Sequence, residues 1–362
     1  MRNKKIALVG FRLSTGGSEK VIANLSNFFH KKGIEVHIII FHDEVGYEHS
    51  GTVFNLGKLK SEANTIFNKL KRFYYLNKYI KKHQFDFIID FRFRINLIQE
   101  LLISKCIYKG KTIYTVHSSK IDVYMPKQVF LTKLIYGKCY KIIAINDRMK
   151  NLIEERHQLN NVIKICNPLD VERIKTMKLE EIDLDFEFVL GAGQFSTNEK
   201  QFDKLIYAYS KSILPKKRIA LVVLGEGVKK GELINKAQSY GVGPLVHFLG
   251  FKENPYKYFS KAKFFIMSSL YEGLPMVLIE SLSCGTPVVA FDCPTGPKEV
   301  IQHKINGLLI EDQNIDELVK GINIMVTDQE LYHICKVNSE RSVEKFSLKV
   351  IGKQWLELMN YN

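Results

Sequence analysis

The chain has 362 residues, 46% hydrophobic and 25% charged, a length and composition that suit two domains with a core each. They exclude a disordered tail, a collagen and a disulfide-stapled miniprotein. The net charge of +15 resides entirely in residues 1–170, with 29 Lys and Arg against 14 Asp and Glu, so one half is basic and the other neutral. A basic face of this kind attracts phosphate, nucleic acid or anionic lipid headgroups.

Met1–Lys5 is basic, but the apolar stretch behind it is only about six residues long and lacks a small-residue cleavage site. A first buried strand, Ile6–Phe11, is expected there. Further strand candidates of the first half are Val36–Phe41, Phe87–Phe91, Thr112–His117, Ile142–Asn146 and Val162–Cys166, with helical stretches such as Glu19–Lys32 and Arg148–Arg156 between them. Strands alternating with helices mean a parallel sheet covered on both faces. The pattern stalls after Asn167-Pro168, where Asp170–Glu187 reads as a boundary. A second series follows: Phe188–Gly193, Ile219–Gly225, Val246–Gly250, Phe264–Ser268, Val288–Phe291 and Gly307–Ile310. The fold class is therefore α/β, with two successive doubly wound, Rossmann-like domains facing across a cleft. Ligands of such sheets bind beyond the carboxyl ends of the strands. No apolar run is long enough to span a membrane. The six cysteines form no CxxC pair and read as reduced, buried thiols of a cytosolic protein.

The densest basic stretch is Lys58–Lys82, with eight Lys and Arg, among them Lys69 and Arg72, against Glu62 alone. Ile66, Leu70, Phe73 and Ile80 fall near one helical face, so the segment reads as a basic amphipathic helix suited to an anionic membrane surface. The alternative is a helix whose apolar face packs on its own core.

The most informative stretch runs from Ser268 to Ala290. A strand ends near Ser269, a loop holds Glu272, Gly273 and Leu274, and Pro275 suits the first turn of a helix that carries Glu280 and stops near Gly285. Backbone N–H groups at that helix start can hold a phosphate, and a carboxylate on each side can accept hydrogen bonds from sugar hydroxyls. Glu272 and Glu280, with seven residues between them, resemble the paired-glutamate motif of retaining glycosyltransferases of the GT-B fold. The large class containing bacterial lipopolysaccharide, capsule and mannosyl transferases (family 4) is the most similar group. Further landmarks follow the same order along nearly the whole chain. They are Gly16-Gly-Ser-Glu-Lys20, Asn167-Pro-Leu-Asp170, the block from Gly191 to Lys200, Leu224-Gly-Glu-Gly227, Phe248-Leu-Gly250, and Asp292 to Glu299 followed by Asn306-Gly.

The resemblance implies residues 1–168 as an acceptor-binding domain, with a C-terminal helix of about 346–362 packing back on it. It implies 169–345 as the nucleotide-sugar-binding domain. Glu280 would bind the ribose hydroxyls, Glu272 the transferred sugar and Lys200 the diphosphate. Gly17 would let the backbone approach the diphosphate. Gly273, Leu274 and Pro275 would line the same donor site. His117, ending the strand before Ser118, stands where family members place a histidine facing the donor sugar. Glu272, His117 and Lys200 are thus the expected catalytic residues. The family arginine after the second glycine of the 191 block is here Gln194, which donates a hydrogen bond but supplies no charge. Lys200 with backbone amides, or another cation such as Arg12, would then carry the leaving group.

The reaction implied is retaining sugar transfer from a nucleoside-diphosphate sugar, the leaving phosphate itself taking the acceptor proton. No Asp-x-Asp motif appears where a divalent metal would be needed, and the sequence shows no His/Cys ligand cluster, so no metal is expected. The basic first half fits a phosphate-bearing acceptor, such as a polyprenyl-diphosphate-linked saccharide on the cytoplasmic face of the cell membrane. Arg92 and Arg94, after a strand end, are its candidate contacts. The rival readings are a nucleotide-sugar epimerase of the same fold and a non-catalytic glycosyltransferase-like binding partner. Nucleic-acid binding is not expected, because the sequence carries neither an RNA-binding aromatic signature nor a helix-turn-helix pattern.

Overall fold

The apolar runs of the first half form a seven-stranded parallel sheet in the computed structural model, which describes residues 4–14, 16–60, 66–108 and 110–361. Met1–Asn3 of the basic start and residues 61–65 of the basic stretch lie outside the described residues. The strands are β1 (Lys5–Gly10), β2 (Glu35–Ile40), β3 (Thr52–Asn55), β4 (Phe87–Asp90), β5 (Lys111–Val116), β6 (Lys141–Ala144) and β7 (Val162–Lys164). Their order is β3-β2-β1-β4-β5-β6-β7. The inner strands are covered on both faces, so Ile6, Ala7, Leu8 and Val9 in succession are fully buried. The edge strand β3 buries none of its residues and carries no continuous apolar run, which hides it from the sequence pattern.

The chain divides into two compact units, Met1–Pro168 with Leu348–Asn362, and Leu169–Ser347. The second unit holds six parallel strands: β8 (Phe188–Ala192), β9 (Ala220–Leu224), β10 (Val246–Gly250), β11 (Phe265–Met267), β12 (Val288–Phe291) and β13 (Gly307–Ile310). Their order is β10-β9-β8-β11-β12-β13. Its core runs from Phe195, Leu205 and Tyr209 through Leu221 and Ile266 to Ile322 and Met325. In each sheet the first strand has neighbours on both sides, so the winding reverses beside β1 and beside β8. The stretch 170–187 is not wholly irregular, since Val171–Met177 is a helix capped by the Asp170 carboxylate.

The last helix, Leu348–Leu358, belongs to the first unit. Ile351 and Trp355 join the core of the seven-stranded sheet, and Tyr140 donates a hydrogen bond to the Leu358 carbonyl at 2.9 Å. Gly352 meets the Phe28 ring so closely that a Cβ there would lie 2.4 Å from it. Of the cysteines, Cys284, Cys293 and Cys335 are buried as expected, but Cys106 is exposed. Trp355→Ala is expected to destabilise the first unit by about 3–5 kcal/mol, the usual cost of deleting a buried large aromatic. An earlier urea transition of that unit would show it.

Candidate active site

The loops after β8 and β11 are neighbours because those strands pair in the sheet. Backbone and side chain stitch them together. The Leu270 N–H donates to Glu199 O at 2.8 Å, and the Ser268 hydroxyl donates to the carbonyls of Lys200 and Gln201 at 2.9 and 3.0 Å. The Tyr271 hydroxyl donates to the Glu199 carboxylate. Lys200 and Glu272 thereby meet: Nζ lies 2.6 Å from Oε1, with the Glu272 side chain only 10% exposed. The Ser269 hydroxyl donates to the same oxygen at 2.7 Å, and Thr295 donates to the Glu272 carbonyl.

Gly273, Leu274 and Pro275 follow and lead into the helix Met276–Ser283, with Pro275 at its N-terminal cap position. Gly296 presses on this turn, since a Cβ there would stand 2.5 Å from Pro275 Cδ and 2.7 Å from Gly273 O. Glu280 is buried on the second turn of the helix, where the Tyr256 hydroxyl reaches Oε1 at 3.4 Å. The loop after β8 is shaped by close backbone packing. A Cβ on Gly225, whose φ is +127°, would fall 1.8 Å from Gly193 O, and one on Gly227 would fall 2.4 Å from the Phe195 carbonyl carbon. Gln194 sits exposed between these contacts, and the Lys200 stem lies against Gly193.

In the first unit, Gly17 starts the helix Gly17–Lys31 after β1 and faces open space. Arg12 is paired with Glu44 at 3.1 Å. His117 follows β5 and stacks on Phe91. The Thr115 hydroxyl donates to the Asp90 carbonyl at 3.1 Å, so it accepts from His117 Nε2–H, 2.9 Å away. That assigns the tautomer and leaves Nδ1 as a bare acceptor, buried without a hydrogen-bond partner of standard geometry among the described residues. Burial pushes the imidazole down to about 4, and the nearby Asn167 only partly offsets this.

Comparison with known proteins decides the family. The family described as "Glycosyl transferases group 1" matches residues 172–342, and "Glycosyltransferase Family 4" matches 15–173. A Campylobacter jejuni protein is 30% identical over 98% of this chain and 99% of its own length. It is named N-acetylgalactosamine-N,N'-diacetylbacillosaminyl-diphospho-undecaprenol 4-alpha-N-acetylgalactosaminyltransferase. This chain belongs to the GT-B glycosyltransferases. A second protein of that organism, an alpha-1,4-N-acetyl-D-galactosaminyltransferase named for a diNAcBac-PP-undecaprenol-linked acceptor, is 27% identical over 98% of both chains. The crystal structure of Anabaena HepE in complex with UDP superposes with a TM-score of 0.77 at 17% identity, over 99% of this chain and 100% of that one.

Two expectations for the glycosyltransferase are corrected. Arg92 and Arg94 are not surface contacts for an acceptor, because both guanidinium groups are buried and occupied. Arg92 donates to Asp90 at 2.6 Å and to Glu100 at 3.1 Å. Arg94 donates to the carbonyls of Arg92, Thr115 and Tyr124, and packs over the rings of Tyr114, Tyr124 and Tyr136. Two carboxylates drawn inside need these cations, and Phe93 is the residue left partly exposed instead. The acidic residues flanking the pair, Asp90 and Glu100, were the available signal. In the helix Ile66–His83, Leu70 does not share the buried face of Ile80. Leu76 and Ile80 are buried, Arg72 and Phe73 half-buried, and Leu70 and Lys69 exposed. Sequence reasoning also missed Ser269, Thr295 and Tyr256, which hold the two glutamates. Thr295 lay inside a recognised landmark, whereas Tyr256 lay in none.

The depressed His117 has a measurable consequence. The unfolded chain protonates this imidazole near 6.5 and the folded chain near 4. Between those values the unfolded state binds more protons, so stability falls as pH drops from 6.5 to 4, by about 3 kcal/mol in total. His117→Gln is expected to flatten that part of the stability–pH curve, as measured by urea unfolding at stepped pH.

Proposed function

We propose that the glycosyltransferase moves a sugar, with retention, from a nucleoside-diphosphate sugar to a hydroxyl of a lipid-linked saccharide during cell-surface polysaccharide synthesis. The carrying observation is the Lys200–Glu272 ion pair, with the buried Glu280 on the helix that the Glu272 loop leads into. A cation suited to a diphosphate and a carboxylate suited to sugar hydroxyls neutralise each other where donor binding would separate them. Lys200, the amides of the Gly273–Pro275 turn and the Gln194 amide then stabilise the leaving diphosphate. Glu280 takes the ribose hydroxyls, and Gly17 lets the protein backbone approach the diphosphate. His117, neutral and with Nδ1 bare, accepts a hydrogen bond from the donor sugar. The leaving phosphate takes the acceptor proton, so the chemistry needs no side-chain nucleophile, and on this reading Lys200 and the backbone amides serve the leaving group in place of a metal. The undecaprenol-linked acceptors in the names of the two Campylobacter relatives support the acceptor class.

Donor binding is testable by thermal shift against nucleoside diphosphates and their sugars. A shift with one nucleotide is expected, lost in Glu280→Ala. Glu272→Ala should keep the nucleotide shift but lower turnover roughly 10–100-fold, the worth of one charge-assisted hydrogen bond. Wild-type behaviour of both variants would reject the site.

On this reading the enzyme works as a peripheral protein on the cytoplasmic face of the membrane. No helix among the described residues is long and apolar enough to cross one. The outer face of the helix Ile66–His83 presents Phe67, Leu70 and Tyr74 to solvent among exposed Lys71, Lys78, Lys81 and Lys82. The segment Ile103–Ile107 packs against both this helix and the helix Val129–Tyr136, so exposed Ile98, Leu102, Phe130 and Leu134 extend the apolar surface. Apolar rings between lysines suit an anionic interface. Vesicles containing anionic lipid should bind the protein in a salt-sensitive way. The pair Lys71→Gln with Lys78→Gln should weaken this about tenfold or more. Binding indifferent to salt and to these substitutions would refute the surface.

A further inference from the structure

Away from the loops that carry the glutamates, the first unit gathers three metal-ligating side chains. Glu35 and His37 are two residues apart on β2, so they share one face of the sheet. His83 is the last residue of the helix Ile66–His83, one turn beyond Tyr79, and both rings turn to His37. The centroids of His37 and His83 are 4.5 Å apart, and one ligating atom from each of Glu35, His37 and His83 lies within 4.8 Å of the others. The sequence shows no such cluster, because His83 reaches β2 only through the packing of its helix.

The hydrogen bonds leave room for an ion. His37 Nδ1 lies 2.6 Å from the Tyr79 hydroxyl and Nε2 lies 2.9 Å from Glu35 Oε1. Without an ion the Tyr79 hydroxyl donates to Nδ1 and Nε2–H donates to Glu35; with Nδ1–H turned to donate to Tyr79, a dication can take the place of the Nε2 proton. Glu35 Oε1 also meets Lys5 Nζ at 2.8 Å, while Glu35 keeps a second oxygen and is open to solvent. The His83 ring packs on His37, Tyr79 and Phe85, with centroids 4.5, 4.3 and 5.8 Å away.

We propose that Glu35, His37 and His83 bind Zn2+ or a comparable transition-metal dication, with water completing a four-coordinate shell. Two imidazoles and a carboxylate suit such an ion, whereas Mg2+ and Ca2+ favour oxygen-only shells. Lys5 opposes a dication, so the site depends on its imidazoles rather than on the local field. A bound ion would tie the end of the helix Ile66–His83 to the start of β2 and fix the helix against the sheet.

The test uses tag-free, chelator-stripped full chain titrated with Co2+, whose visible spectrum reports coordination, followed by displacement with Zn2+. One equivalent with a four-coordinate spectrum is expected, together with a rise in melting temperature on adding Zn2+. His83→Gln and Glu35→Gln, both at partly exposed positions, should each weaken binding at least about tenfold while the stripped variants stay folded. No saturable binding by folded wild type would overturn the proposal. So would binding undiminished in both variants, or a thiolate-to-cobalt band that assigns the ion to a cysteine.

Discussion

Parallel strands cannot be joined by a tight turn, so each must be followed by a crossover that returns over one face of the sheet. In both units the chain starts in the middle of its sheet, winds outward to one edge, and comes back to the other side of its first strand. Loops at that reversal leave the sheet toward opposite faces and open a space at the carboxyl ends of the strands. In the second unit the reversal falls between β8 and β11. The loop after β8 ends in Lys200 and the loop after β11 carries Glu272, so residues 72 apart in sequence form an ion pair. The proposed donor site of this glycosyltransferase depends on that one adjacency.

Close backbone packing then sets the shape of the loops. Gly225 and Gly227 let the segment after β9 lie directly on the segment after β8, and Gly296 lets a third loop press on the turn before Met276. At Gly225 both the positive φ and the overlap with Gly193 exclude a side chain. Two small polar side chains, Ser269 and Thr295, complete the seat of Glu272 from opposite ends, one on its carboxylate and one on its carbonyl. A carboxylate held this way loses little freedom on meeting a ligand, which is the use of preorganisation.

The first unit spends its charge differently. Part of its basic excess is internal: Arg92 answers Asp90 and Glu100, and Arg94 satisfies backbone carbonyls beneath three tyrosines. Removing one member of such a group would strand a buried charge, so its residues belong together as a structural unit. The remainder of the charge is on the outside, most densely along the helix Ile66–His83. That helix also orders an interior cluster at its end, where Tyr79, His83 and Phe85 surround His37. One element thus has a buried face of Leu76 and Ile80, an outer face of rings and lysines, and a polar terminus.

Much of this was readable from the chain itself. Strands buried on both faces must be continuously apolar, so all the strands but β3 were visible as short runs, and β3 escaped because an edge needs no such run. The glycine landmarks were visible because close backbone approach demands that residue type, and the two glutamates because their spacing resembles the family's paired-glutamate motif. What spacing along the chain cannot carry is which way a side chain turns when its neighbours in space are distant in sequence. Arg92 and Arg94 look like a surface pair until Asp90 and Glu100 are found facing inward, and Leu70 looks as if it shares a helix face with Ile80 until Ile80 is found buried and Leu70 exposed. Glu35, His37 and His83 look unrelated until a helix end docks on a strand. The sequence by itself determined the parallel α/β architecture, which follows from local periodicity, and through its ordered landmarks the resemblance to the glycosyltransferase family. Only the tertiary structure decided which charges are buried, which apolar residues face water and which histidines meet, because burial and contact are properties of packed elements and not of order along the chain.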